Sequence, residues 1–469
     1  MVHLMNKDLL DEKISAAFSE LIIDKALVRD LKIRDKRTIP SFVEEWMISR
    51  FQKPDKSNAE VYADITSFMS KHLPSKTEKE TIKYRLHSGD SVVLLDRFEV
   101  RIDISKGKKL LTIPCLEERN ATVSHEVLEK NQSLLEGGQW GAGRMCVNSD
   151  GKNNVIELVE FNPMQSGKVR LEQLIKAREQ FTTREWIHLL LRTMGYEPSA
   201  YSEEQQNNVI LRMLPLVQNN LNMMELAPKG TGKSFIYSNL SRYVWLNSGG
   251  GLSQAQLFMN LNTNEIGLLG GKYDLLVLDE GQSITFKGAD DIHAKFKDYL
   301  ESGQFSVGGK KVTSECGLII LANIDLYEGQ PRQTDYIRHL PEMFHDSALM
   351  DRFHGIIAGW KIPRFTTDHA AQGIGIKADV FGEYLHQLRT VSHIEFPFGE
   401  CPTLKGDSRD VKAVTRLASA LSKLLLLNPD HADYEAYVFN PAKDLRARVR
   451  SQLMELNAQE FSGQINVQY

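Results

Sequence analysis

The period of the apolar positions changes along this chain. Within residues 8–52 it is helical. Ile14, Ala17, Phe18, Leu21 and Ile22 share one stripe, and Phe42, Val43, Trp46 and Met47 form another after Pro40. Near residue 98 the period becomes two, with Phe98, Val100, Ile102 and Ile104 alternating with Glu99, Arg101 and Asp103, as in a half-buried strand. The turn Ser105-Lys106-Gly107-Lys108-Lys109 then leads into Leu110, Leu111 and Ile113, which predicts a β-hairpin with a basic tip. Strands near 93–116 and 154–161 predict a small β-rich domain of OB-like type. The glycines of Gly137-Gly138-Gln139-Trp140-Gly141-Ala142-Gly143 beside it read as tight turns.

Helical spacing returns over 168–194 (Leu171, Leu174, Ile175, Phe181, Trp186, Ile187, Leu190). From about 205, strand-length apolar runs (Met223–Ala227, Leu275–Leu278, Leu318–Leu321, Ile356–Ala358) alternate with longer, helix-compatible segments, which predicts an α/β fold with a parallel sheet. Val411, Val414, Leu417, Ala418, Leu421, Leu424 and Leu425 open a final helical stretch. The expected organisation is a helical region over 1–90, the β-rich domain over 91–167, a helical connector over 168–204, an α/β core over 205–400, and a helical lid with a tail over 401–469.

Composition narrows the class. The 469 residues carry 57 Lys+Arg against 61 Asp+Glu and are 42% hydrophobic and 25% charged, which argues against disorder and collagen-like repeats. A net charge of -4 excludes a chain that is basic throughout, but leaves room for Lys and Arg concentrated on one face. Cys115, Cys146, Cys316 and Cys401 form no CxxC pair, so neither a zinc ribbon nor a disulfide scaffold is expected. No apolar run suits a membrane span and the start, Met1 to Lys7, lacks a signal-peptide apolar region, so the expected compartment is the cytoplasm.

The strongest chemical signal is Ala227-Pro228-Lys229-Gly230-Thr231-Gly232-Lys233-Ser234, between an apolar strand and a helical segment. Its glycines let backbone N–H groups converge on an anion, Lys233 can reach the β- and γ-phosphates of ATP, and the Ser234 hydroxyl can ligate Mg²⁺. The strict pattern has Gly where Ala227 stands. Leu275-Leu276-Val277-Leu278-Asp279-Glu280 places two carboxylates at the end of a buried strand, Asp279 suited to Mg²⁺ and Glu280 to activating water. Leu318–Asn323 ends another strand in an amide suited to the γ-phosphate or the lytic water. Asp351-Arg352-Phe353 offers Arg352 as a finger for a neighbouring subunit's ATP. Arg409, ahead of the final helical face, is a candidate γ-phosphate contact from the lid, with Arg416 further along that face. Between the Asp-Glu strand and Asn323, Gly308-Gly309 joins two short β-prone runs, a hairpin signal with Lys310 and Lys311 at its tip. Those lysines read either as phosphate contacts of a nucleic acid or as edge charges that discourage aggregation.

The order of these features resembles AAA+ ATPases over roughly 205–430: Walker A, Walker B, sensor 1, arginine finger, then a lid with sensor 2. The resemblance implies a ring, a hexamer, because an arginine finger works in trans. The hairpin before Asn323 is similar to the pre-sensor-1 hairpin of the MCM-like clade, which projects into the ring pore. No aromatic-x-Gly pore loop of protein unfoldases is evident over 248–274, although Gly267-Leu268-Leu269-Gly270-Gly271-Lys272-Tyr273 reads as a flexible apolar segment that could serve.

Beyond the superfamily, the chain resembles the BrxL family, Lon-related ATPases of BREX phage-defence systems. The residues behind this are Ile39–Trp46, Gly137–Gly141, Phe161-Asn162-Pro163-Met164-Gln165, Phe181–Trp186, Glu225–Ser234 and Asp410–Val414. The resemblance implies a bacterial antiviral ATPase with an MCM-like N-terminal region encircling double-stranded DNA, in single or stacked hexamers, with other BREX components as partners. Longer members carry a Lon-protease-like domain after the lid. Residues 426–469 cannot hold it and no Ser/Lys dyad can be assigned, so peptidase activity is not expected here, whether the chain is a short member or a shortened one. A Lon-like protein unfoldase stays open as the alternative function.

Overall fold

The computed structural model describes residues 9–33, 39–104, 107–150, 153–164, 169–391 and 403–468. Ser105 and Lys106 of the basic tip, Gln165, Cys401 and the residues from Met1 to Lys7 lie outside them. The chain forms two bodies, Leu27–Val169 with Lys377–Val380, and the remainder.

In the first body, helices α1 (Ser41–Phe51), α2 (Asn58–His72) and α3 (Lys79–His87) precede the β-rich segment. Ser57 and Glu60 cap α2 reciprocally, satisfying N–H groups that the first helical turn leaves open. Five strands follow: β1 (Val92–Asp103), β2 (Lys108–Ile113), β3 (Glu118–Val123), β4 (Gln139–Asp150) and β5 (Asn153–Pro163), with the short helix α4 (His125–Lys130) between β3 and β4. They close into a barrel of order β1-β2-β3-β5-β4, with β3 parallel to β5. Phe98, Val100, Leu111, Ile113, Val123, Met145 and Leu158 fill its interior, and Ile82 and Leu86 of α3 join them. The glycines expected to make turns divide into two roles. Gly137 (φ 83°) and Gly138 (φ 91°) turn the chain, whereas Gly141 and Gly143 lie within β4. There the Phe161 ring occupies the space a Cβ on Gly141 would need, at 2.5 Å, and Phe98 and Leu158 occupy that of Gly143. They are strand residues that admit the edge-to-face Phe98–Phe161 pair, centroids 5.6 Å apart.

The second body is built on a five-stranded, all-parallel sheet of β6 (Asn222–Ala227), β7 (Val244–Ser253), β8 (Leu275–Lys287), β11 (Gly317–Asn323) and β12 (Gly355–Ala358), in the order β12-β6-β11-β8-β7. Leu275–Leu278 and Leu318–Leu321 are buried throughout, as befits strands covered on both faces. The edge strand β7 was not legible as an apolar run, because Asn247, Ser248 and Gly249–Gly251 leave it half exposed. Helix α5 (Thr183–Thr193) precedes the sheet, α6 (Lys233–Asn239) follows β6, and α7 (Ala289–Ser302) precedes the hairpin of β9 (Gln304–Val307) and β10 (Lys310–Thr313). Gly308 (φ 56°) and Gly309 (φ 78°) supply the two positive φ angles this turn demands.

Two boundaries differ from expectation. Residues 8–52 are not continuously helical: Ile22–Asp24 is a strand paired antiparallel with Ile374–Ile376, which joins the chain's start to the sheet-bearing body. Asp11 reinforces this, accepting from Arg192 at 2.8 Å and from the Ile374 N–H at 3.0 Å. Likewise α8 (Ser408–Leu425) and α9 (Asn440–Leu456) pack within that body rather than forming a separate domain. Arg446, fully buried, bonds Asp410 at 2.7 Å and the Phe353 carbonyl at 2.7 Å, tying both helices to the loop before β12. No helix among the described residues is long and apolar enough to cross a membrane.

Candidate active site

Parallel strands put all their C-terminal ends on one edge, and the loops that leave them converge there. After β6, Ala227–Ser234 turns into α6 with Gly230 at φ 84° and Gly232 at φ 77°, conformations that L side chains rarely adopt. The Gly230 turn departs from regular backbone so that successive N–H groups can face one ligand. Ala227, where the strict motif has Gly, is accommodated by Gly359 after β12, on which a Cβ would stand 2.5 Å from that of Ala227.

Lys233 is buried at the start of α6, and its Nζ donates to Asn323 Oδ1 at 2.8 Å, joining the β6 and β11 ends. Burial pushes its ammonium below the ordinary value, against the pull of Glu225 and Asp279. Asn323 is anchored in turn by its N–H, which donates to Gln282 Oε1 at 3.1 Å. At the end of the apolar part of β8, Asp279 accepts from the Glu280 N–H at 2.9 Å. Glu280 itself is exposed, sits at φ 51° and lies where β8 breaks register with β7. A left-handed non-glycine residue costs conformational energy and is often found where a side chain must be aimed. Its carboxylate reaches toward Gly249, a Cβ on which would stand 3.7 Å from Oε2. Hence Lys233, Asn323, Asp279 and Glu280 share one edge. Ser234 and the two carboxylates are the hard oxygen donors that Mg²⁺ prefers, so the donor set fits Mg-ATP.

Beneath the loop lies a buried support that the motifs did not reveal. Arg212 and Glu225 are fully buried and paired, Arg212 Nη2 donating to Oε1 at 2.6 Å and Nε to Oε2 at 3.0 Å. Burial works against the charge on Arg212, but Glu225 and its other neighbours raise its proton affinity above the ordinary value. Arg212 Nη1 also donates to the Thr231 carbonyl at 3.0 Å and to the Tyr196 hydroxyl at 3.2 Å, and that hydroxyl donates to the Gly232 carbonyl at 3.4 Å. The carbonyls of Thr231 and Gly232 are thus engaged by this buried support. The signal was present in Met223-Met224-Glu225-Leu226, a carboxylate inside an apolar strand, which requires a buried cation.

Arg352 and Arg409 are elsewhere. Gly355 pairs with Met223 and Ala358 with Leu226, so the loop carrying Asp351 and Arg352 enters the sheet at its N-terminal edge. The length of β6, about 17 Å at ~3.3 Å per residue, separates that edge from the loop at Lys233. Arg409 Nη1 bonds Asp351 Oδ2 at 2.6 Å, and Arg416 bonds the Asn220 carbonyl, so both sit at this N-terminal edge. Asp351 thus holds Arg409, the lid candidate for a γ-phosphate, at the end of the sheet opposite Lys233 of the same chain. Here Arg352, Arg409 and Lys412 surround one carboxylate, with Glu301 Oε2 3.6 Å from Arg352 Nε and 3.9 Å from Arg409 Nε, and Oε1 3.6 Å from Lys412 Nζ. They line a cleft of about 740 Å³ with Gln218, Arg416 and Ser419.

At the hairpin tip, Lys310 and Lys311 are exposed, and Lys310 donates to Asn264 Oδ1 at 2.8 Å in a neighbouring small hairpin, Met259–Asn260 with Glu265–Ile266. The 267–273 segment is not the flexible loop expected, since Leu269 and Tyr273 are buried and its N–H groups bond the Gln256 and Leu257 carbonyls. Among the described residues no cluster of three or more His, Cys, Asp and Glu could hold a metal by itself.

A family model described as "Lon-like protease BrxL-like, ATPase domain" matches residues 156–466, and one described as "BREX system Lon protease-like protein BrxL N-terminal" matches residues 16–146. Two curated proteins, each called Lon-like protease BrxL, resemble the chain over 96% of its length at 30% identity. One is from Escherichia coli O9:H4 (strain HS), of which the chain covers 66%, and the other from Bacillus cereus (strain H3081.97), of which it covers 68%. The chain therefore spans about two thirds of the length of these relatives. A parallel α/β sheet with a nucleotide-type loop, together with family matches spanning nearly the whole sequence, establishes that the chain belongs to the BrxL family and carries its ATPase domain.

Proposed function

We propose that this chain is the ATP-hydrolysing AAA+ motor of a ring in a BREX-type defence system, acting on double-stranded DNA. The observation that carries the ATPase reading is the Lys233–Asn323 contact, which brings the cation of one strand end and the amide of another to a single point beside Asp279 and Glu280. In this reading the N–H groups of Pro228-adjacent residues Lys229 to Lys233 cradle the phosphates, and Lys233 neutralises charge on them. Ser234 and Asp279 would hold Mg²⁺, which screens the phosphates when bound. Glu280 takes a proton from the attacking water, while Asn323 orients that water or the γ-phosphate.

Arg352 and Arg409, at the far edge of their own sheet from Lys233, would act on ATP held by another subunit. This supports a ring of hexameric type, single or stacked, in which each site is completed by a neighbour. Mixing decides the point. Lys233→Ala and Arg352→Ala chains should each be inactive, and their mixture should regain a fraction of wild-type hydrolysis, because some interfaces pair an intact loop with an intact finger. A mixture as inactive as its components would remove the trans assignment.

Support for DNA comes from the exposed Lys310 and Lys311, which in a ring would present cations to a central strand. The barrel order, with α4 between β3 and β4, supports an OB-like, MCM-like reading of the N-terminal segment. The test is steady-state ATP hydrolysis with and without double-stranded DNA, with Lys233→Ala as the blank. The rate should respond to DNA, the response should fade with added salt, and Lys310→Glu/Lys311→Glu should weaken it. A rate indifferent to DNA, with no binding at low salt, would move the substrate to protein. The exposed Leu261 and Ile266 beside the hairpin would then be the natural contacts of a Lon-like unfoldase.

A further inference from the structure

Between β12 and Ile374 the chain crosses the nucleotide edge of the sheet. The Phe365 N–H donates to the Gly230 carbonyl at 2.8 Å, which fixes this crossing to the crest of the loop. Phe365 also meets Tyr196 edge to face at 5.6 Å, so the crossing shares the support that Arg212 gives the loop from below. The residue before it, Arg364, lays its side chain along Gly230: a Cβ on that glycine would come within 3.1 Å of Arg364 Nε and 3.2 Å of its Cγ. Arg364 is exposed, and among the described residues no carboxylate or carbonyl partners its guanidinium. Most arginines elsewhere in this body are committed: Arg212 to Glu225, Arg389 to the Pro215 carbonyl, Arg446 to Asp410.

We propose that Arg364 is a phosphate-binding residue of its own chain's nucleotide site, supplying in cis the guanidinium that Arg409 cannot. Three features point the same way. An unpaired cation lies against the glycine loop that leads into Lys233, the loop the ATP-site reading assigns to phosphates. Its Nε and Cγ both lie beside a glycine, which brings the charged end to the loop. The backbone beside it is hydrogen-bonded to the loop, so the two move together. Guanidinium and phosphate form charge-assisted, fork-shaped hydrogen bonds that favour this pairing over a solvated surface charge. The proposal rests on the ATP-site reading above and adds a residue to it.

The test is equilibrium binding of a fluorescent ATP analogue and its ADP counterpart to the full chain, comparing wild type, Arg364→Met, Arg364→Lys and Lys233→Ala. Met keeps the stem over Gly230 and removes the charge, so a merely packing role would leave Arg364→Met unaffected. The expected result is a loss of about 10- to 100-fold in ATP affinity for Arg364→Met. Arg364→Lys should recover part of the loss, and thermal melting should be unchanged because the side chain is exposed. A larger loss for ATP than for ADP would assign the contact to the γ-phosphate, and equal losses to the inner phosphates; either supports the proposal. Wild-type affinity in Arg364→Met, with affinity lost in Lys233→Ala, overturns the proposal and leaves the ATP site standing. If wild type itself binds neither nucleotide, the ATP-site reading fails and takes the proposal with it.

Discussion

Glu280→Gln will bind ATP as wild type does and hydrolyse it about 10²- to 10⁴-fold more slowly, the usual contribution of a positioned general base. The amide keeps the size and hydrogen-bonding reach of the carboxylate but cannot accept the proton of the attacking water. Asp279, which anchors the Glu280 N–H at 2.9 Å, is untouched, so the left-handed backbone at φ 51° should persist. Lys233 also keeps its bond to Asn323. Single-turnover hydrolysis together with nucleotide binding checks this. A variant that turns over at the wild-type rate would show that another group activates the water, and one that no longer binds ATP would show that Glu280 shapes the ground state.

Arg212→Met will cost the sheet-bearing body about 3–5 kcal/mol, because it strands Glu225 as an uncompensated charge at zero exposure. The same substitution removes the donor to the Thr231 carbonyl, so KM for ATP should rise as well. The double variant Arg212→Met/Glu225→Met separates the two effects. Two apolar side chains in place of a buried pair are often neutral for stability, so melting should recover. The support under the loop stays absent, and nucleotide affinity should remain low. Recovery of both would mean that the pair stabilises the body without shaping the loop.

These expectations differ in how far the sequence could have reached them. Lys233, Asp279, Glu280 and Asn323 were legible because each belongs to a short run whose neighbours fix its geometry. A buried apolar strand ends, the chain turns, and the polar residue stands on the ligand-facing edge. The hairpin carrying Lys310 and Lys311 was legible for a similar reason, since Gly308-Gly309 encodes its turn locally. The edge strand β7 was hidden because half exposure leaves no apolar run to read. The paired roles of Gly141 and Gly143 depend on Phe161, Phe98 and Leu158 across the barrel, which no local pattern announces.

The sequence by itself determined the glycine loop before Lys233, the acidic strand end at Asp279 and Glu280, the amide that ends the strand at Asn323, and the alternation of apolar strands with helices, since each is written in a run of neighbouring residues. Tertiary structure alone decided that Arg409 lies with Arg352 at the edge away from its own Lys233, that Arg364 lies over Gly230, and that Arg212 and Glu225 brace the loop from beneath. Charge pairs and strand edges are chosen by packing between segments far apart in the chain, where the Asp351 or Glu225 that captures an arginine bears no fixed spacing to it.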